Sequence, residues 1–157
     1  MNEEANIPYV RAVREALVEW RESFNEGFRD WILETVKTLA LINSAGLAGV
    51  GAIIASDGAA KLILGRYPSA AFFAFGLAAA VIDMYANACG HLAREKEILQ
   101  RIQLFDRRQL DVRDALNEVQ AGKVALTVAS CAGWLSGGAF LVGAWPFIRS
   151  ALSPLIC

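Results

Sequence analysis

The stretch VKTLALINSAGLAGVGAIIASD, residues 36–57, carries no charge between Lys37 and Asp57. An uncharged run of this length, 38–56, reaches across a hydrocarbon core of ~30 Å at the helical rise of ~1.5 Å per residue. A helix lying on a soluble core would turn one polar face to water. Here only Thr38, Asn43, Ser44 and Ser56 interrupt apolar and small residues, so the run reads as the first transmembrane helix.

Upstream, apolar side chains recur at Val10, Val13, Leu17, Trp20, Phe24, Phe28 and Trp31. That spacing of three and four draws one stripe along a helix over residues 8–37, with Pro8 in its first turn. The opposite face carries Arg11, Arg14, Glu15, Glu19, Glu22, Glu26, Asp30 and Glu34. A helix lying on anionic lipid would favour Lys and Arg there, so the stripe is expected to pack on protein. Gly27 is the one weak point before the span, and a single helix from about Pro8 to about Ser56 is expected.

Downstream, DGAAKLILGRYPS is a connector punctuated by Gly65 and Pro68, with room for one helical turn at AAKLIL. A second span follows at 69–90, where Asp83 is the one carboxylate. Charge returns in 91–123 with the stripes Ile98, Ile102, Phe105 and then Val112, Leu116, Val119. A straight helix there would run ~45 Å from the membrane without returning. A hairpin is therefore expected, turning at 106–111 with Asp111 capping a second helix over 112–123. The third span is 124–145, and Pro146 is expected to end it. The remainder, 146–157, is too short for another crossing and is expected at the interface.

Composition agrees: 157 residues, 55% hydrophobic, with a mean hydropathy of +0.38 and charges concentrated in 1–37 and 94–123. The formal net charge of -1 argues against a nucleic-acid partner, which would need a strongly basic face. The start, MNEEANIPYV, has no basic n-region, so targeting is expected from the first span. Lys and Arg number five in 1–37 and seven in 91–123, against two in 57–68 and one in 146–157. The positive-inside rule then puts the N-terminus and the 91–123 segment in the cytoplasm and the C-terminus outside. The expected fold class is all-α: a polytopic membrane protein with three transmembrane helices extended into a cytoplasmic helical bundle, in contact with the bilayer and forming a homo-oligomer.

Chemistry-bearing signals are sparse. One His and three dispersed cysteines, Cys89, Cys131 and Cys157, offer no metal spacing and no internal disulfide. Gly49-Val50-Gly51 has Ile54 where a dinucleotide loop needs its third glycine, and Ser136 lacks the glycine flank of a nucleophile elbow. Neither catalysis nor a cofactor is expected. His91, at the inner end of the second span, reads as a solvated interfacial side chain, and Phe72, Phe73 and Phe75 are expected to face lipid or neighbouring helices.

Asp83 stands out, because an intramembrane carboxylate costs ~2.5–3.5 kcal/mol at a span's centre on insertion scales. Measured from Lys37, His91 and Lys123, the residues Asn43, Asp83 and Ser130 fall ~9–12 Å inside, with Asn87 and Thr127 one turn nearer the cytoplasm. This intramembrane polar layer has two readings: a hydrated ion path or switch, and interhelical hydrogen bonds that fix packing. Small residues recur every fourth position at Ala45 and Gly49, at Gly76 and Ala80, and at Ala129, Gly133 and Gly137. They are expected to pack helices closely, within one chain and between copies.

LINSAGLAGVGAIIAS followed by SAAFFAFGLAAAVI resembles a widespread set of uncharacterised small bacterial three-span inner-membrane proteins, with Asn43-Ser44-Ala45-Gly46 where those carry a glycine pair. The resemblance covers about a third of the chain and brings no assigned activity. Small membrane proteins of similar layout serve as effectors or accessory subunits in bacterial defence modules. Two functions are therefore expected: an oligomeric pore that perturbs the membrane, or a non-conducting anchor whose cytoplasmic helices bind a soluble partner.

Overall fold

The computed structural model describes residues 7–56 and 67–152, without the side chains of 7, 23–29, 31 and 151. The connector turn expected at AAKLIL, the side chains of Phe24, Phe28 and Trp31, and Cys157 lie outside the described residues. Among the described residues there are four helices, α1 (Ile7–Ala55), α2 (Ser69–Asp106), α3 (Val112–Ala115) and α4 (Lys123–Leu152), and no strand. Three segments are long and apolar enough to cross a membrane, Ile32–Ala55, Ser69–Asp106 and Lys123–Ser150, the architecture of a multi-pass membrane protein. α1 is continuous over 49 residues, so Gly27 does not break it.

Two compact units emerge, Met1–Ile32 with Asn87–Leu126, and Leu33–Ala86 with Thr127–Cys157. In the first, Val13, Leu17, Phe105 and Ala115 form a buried cluster, with Trp20, Ile102, Leu110 and Val112 packed on it. The three-and-four stripe of α1 thus meets the stripe of the charged part of α2. Arg14 and Asp106 form an ion pair at 3.1 Å, as do Arg21 and Glu95 at 3.1 Å.

α2 ends where the turn is expected. Gln109 N donates to Leu104 O at 2.9 Å, and Arg108 N to Phe105 O at 2.9 Å. This is the Schellman pattern, whose C′ residue adopts the left-handed conformation. Arg108 occupies that place with φ 58 where glycine is usual, at a cost of roughly 1–2 kcal/mol. Asp111 caps α3, its side chain accepting from Val112 N at 2.8 Å.

The helix expected over 112–123 is a correction: α3 stops at Ala115. Two side chains of α2, one turn apart, divert the backbone. The Arg101 guanidinium donates to the carbonyls of Ala115 (3.4 Å), Glu118 (3.1 Å) and Asn117. It also pairs with Glu97, whose Oε2 accepts from Gln120 N at 3.1 Å and Ala121 N at 2.6 Å. These backbone groups would be bonding within a helix if one formed. Leu116, expected in the apolar stripe, is instead exposed, and Ala115 and Val119 are buried. Burial alone pushes the Glu97 carboxyl up, but the Ala121 amide, the Arg101 guanidinium and its charge, and the Gln120 amide together hold it below the usual carboxylate value. The hydrogen bond and charge of Lys123 likewise hold Glu118 low. Gly122 closes the segment with φ +77; a Cβ there would lie 2.2 Å from Gly90 O, so only glycine fits.

In the second unit the buried positions are Val36, Asn43 and Val50 on α1, Ser69, Phe73, Gly76, Ala79, Ala80, Asp83 and Ala86 on α2, and Ala129, Ala132, Ser136, Ala139, Gly143 and Pro146 on α4. Each set keeps a helical period, and the opposite faces expose Leu41, Phe75, Trp134 and Leu141. Large apolar groups outside and small groups inside are what spans in lipid require. The second correction is Pro146, which does not end the span: it is buried within α4, which continues to Leu152. Proline forfeits the amide bond to residue 142, yet its fixed φ is helical and nothing after it opposes helix.

Candidate functional site

The polar side chains inside the second unit are arranged around glycines. α1 presents Asn43, fully buried, whose Nδ2 donates to Leu39 O at 2.9 Å on its own helix. The same nitrogen donates to Ser136 Oγ at 3.1 Å and Ser136 O at 3.4 Å on α4. Its Oδ1 has no conventional donor; it lies 2.1 Å from where a Cβ on residue 76 would stand. Gly76 therefore lets α2 approach a carbonyl that any larger residue would displace, in a geometry suited to a weak Cα–H···O contact.

Asp83 repeats the arrangement. It is 6% exposed, and its Oδ2 lies 2.9 Å from the Cβ position of Gly133 on α4. Phe73 completes the pattern without polarity: a Cβ at Gly46 on α1 would fall 2.5 Å from its ring, and one at Gly143 on α4 3.0 Å. The ring packs on Phe140 with centroids 5.9 Å apart and planes at 49°, a tilted aromatic contact. Three side chains on two helices thus enter glycine recesses on their neighbours, with an Asn–Ser hydrogen bond joining α1 to α4.

Of the expected polar layer, Asn43 and Asp83 are buried in this unit, whereas Thr127 and Ser130 are exposed. Asn87 is half-buried and belongs to the first unit. Of the expected packing residues, Gly76, Ala80 and Ala129 are buried, Gly133 is half-buried against Asp83, and half-buried Gly137 lies 3.8 Å by its Cβ position from Leu39. Ala45 and Gly49 are exposed, and a Cβ on Gly49 would meet nothing within 4 Å. The neighbour Gly46 makes the contact instead.

Ser136, Gly46 and Gly143 escape the sequence reading as packing positions, while Phe73, expected against lipid or neighbouring helices, meets its neighbours. Depth counted from the flanking charges favours Ser130, but Asn43 bonds Ser136, further along α4. The burial period on α4 runs through Ala129, Ala132, Ser136 and Ala139 and would have found Ser136. Among the described residues no three His, Cys, Asp or Glu side chains come together as metal ligands, and Cys89 and Cys131 are free, exposed thiols. Compared with known protein families, curated proteins and solved structures, the chain matches none.

Proposed function

We propose that the chain is a non-conducting anchor or adaptor of the bacterial inner membrane, held by its three spans and binding a soluble cytoplasmic partner through its charged helical unit. One observation carries this reading: Asn43, Asp83 and Ser136 are 0%, 6% and 0% exposed. The strongest polar groups of the spans are engaged within the protein, while outward faces are largely apolar. A water path needs the reverse. The cytoplasmic placement rests on the Lys and Arg bias of 1–37 and 91–123. Purified protein in liposomes should give no ion flux above protein-free vesicles. Pull-down from native membranes should yield a stoichiometric partner that is lost on Glu19→Arg with Leu116→Asp.

A second reading is favoured by the outward position of Ser44, Ala45, Gly49, Thr127 and Ser130. Small and hydroxylated residues on outer faces suit association between copies, and a homo-oligomer could place Thr127 and Ser130 along a pore, as in a membrane-perturbing effector of a defence module. Flux that is abolished by Ser130→Leu and unaffected by loss of the soluble partner would replace the first reading with this one.

A further inference from the structure

The second unit contains a cavity of about 340 Å³ that is lined by none of Asn43, Asp83 and Ser136. Phe72, Leu141, Val142 and Trp145 line it, together with Tyr67 and Ser69. Ser69 is 1% exposed, and its hydroxyl has no hydrogen-bond partner. An unbonded hydroxyl in an apolar surrounding costs free energy that a ligand's acceptor would recover.

Ser69 is also the first residue of α2, a helix of 38 residues. Phe72 N donates to Pro68 O, and the amides ahead of it have no acceptor within the helix. This is the positive end of the helix dipole, which favours an anionic group. Tyr67 and Trp145 are 44% and 57% exposed beside the cavity. Aromatic residues at the end of a span mark the level where phosphates and ester groups meet acyl chains. The apolar lining thus suits a hydrocarbon chain, and Ser69 at the start of α2 suits an oxygen acceptor carrying negative charge.

We propose that this cavity is a phospholipid site, taking part of one acyl chain of a bilayer phospholipid along Phe72, Leu141 and Val142 and its phosphate or ester oxygen at Ser69. The site rests on the membrane architecture and on neither functional reading. The test uses the full chain, reconstituted in vesicles of phosphatidylethanolamine and phosphatidylglycerol and extracted into mild detergent. Native mass spectrometry then counts lipid retained during delipidation, with far-UV circular dichroism reporting the fold. Wild type should retain one phospholipid per chain, Ser69→Ala about tenfold less at the same detergent concentration, and Ser69→Thr close to wild type. Val142→Trp, which fills the cavity, should release the lipid, while Val128→Trp on another apolar face should not. If Val142→Trp fails to fold, the Ser69 pair decides alone. Wild type retaining no lipid, or Ser69→Ala retaining as much as wild type, would overturn the site. Equal retention of a fatty acid that lacks phosphate would overturn its assignment to phospholipid.

Discussion

Gly76 and Asn43 should behave as one energetic unit. In Gly76→Ala the new Cβ falls 2.1 Å from Asn43 Oδ1 and 2.6 Å from its Cγ, so the amide must move. Overpacking of this kind costs about 1–3 kcal/mol. Displacing the amide also loses the bonds to Ser136, and an interhelical hydrogen bond in a membrane is worth ~0.6 kcal/mol on average and ~1.7 at most. Against this, alanine is better than glycine in a helix by about 1 kcal/mol. The balance is a net destabilisation of about 2 kcal/mol. In the Asn43→Ala background the obstruction is gone, and the same Gly76→Ala change should stabilise by up to about 1 kcal/mol. Ser136 can then direct its hydroxyl to a carbonyl one turn back on its own helix. A double-mutant cycle, measured by reversible unfolding in mixed micelles with tryptophan fluorescence and helicity as probes, should therefore give a coupling of about 2–3 kcal/mol. Additive single changes, within about 0.5 kcal/mol, would refute the close approach of α2 to the Asn43 carbonyl.

Other positions give sharper contrasts. Arg108→Gly should stabilise the first unit by about 1 kcal/mol, because φ 58 suits glycine and the Schellman bonds use backbone atoms alone; thermal unfolding would register it, and a loss of stability would contradict the cap. Gly122→Ala should destabilise by more than about 3 kcal/mol, combining a positive φ with a Cβ against Gly90 O, whereas Gly49→Ala, in open space, should be neutral or stabilising when both are compared by unfolding midpoint. Glu97→Gln should cost about 1–3 kcal/mol near neutral pH, since a charged acceptor of two amides and a guanidinium is replaced. The folded carboxyl titrates below the ordinary glutamate value of 4.5, so its contribution is present above 4.5 and lost as pH falls through the lower folded value. The variant and the wild type should therefore converge in stability on the acid side, and a gap that persists below that range would refute the linkage.

The long elements were legible because their signals are local and repeated. The uncharged run at 38–56, the charge-poor segments at 69–90 and 124–145, and the stripe through Val13 and Leu17 each contain their evidence in the residues concerned. The turn at 106–111 was legible through Asp111. The segment after Ala115 was not, since the groups that divert it sit at Glu97 and Arg101, about 20 residues earlier in the chain. Pro146 misled because a local rule for ending helices is overridden when the surrounding residues still favour helix. Within the spans, Asp83 and Asn43 drew notice through the cost of burying them. Gly76 and Gly133 drew notice as small packing residues but not as the recesses for these two side chains, because a glycine carries no mark of the side from which its neighbour comes, and Gly46 and Gly49 look alike in sequence.

The contacts made by Glu97 and Arg101 bear on how this chain can vary. Every bond they send to residues 115–121 ends on a backbone carbonyl or amide. The clamp is therefore blind to the identities of the side chains it holds. Asn117, Gln120 and Ala121 can be exchanged for most residues that keep an amide and do not obstruct the path, while the two holding residues and Gly122 cannot. A library randomised at 117, 120 and 121 should stay folded over a wide range of sequences, with proline at 120 or 121 as the prominent exception. The segment that looks least regular is then permissive to exchange of side chains at these positions and intolerant of insertion, which would move the carbonyls and amides out of the clamp.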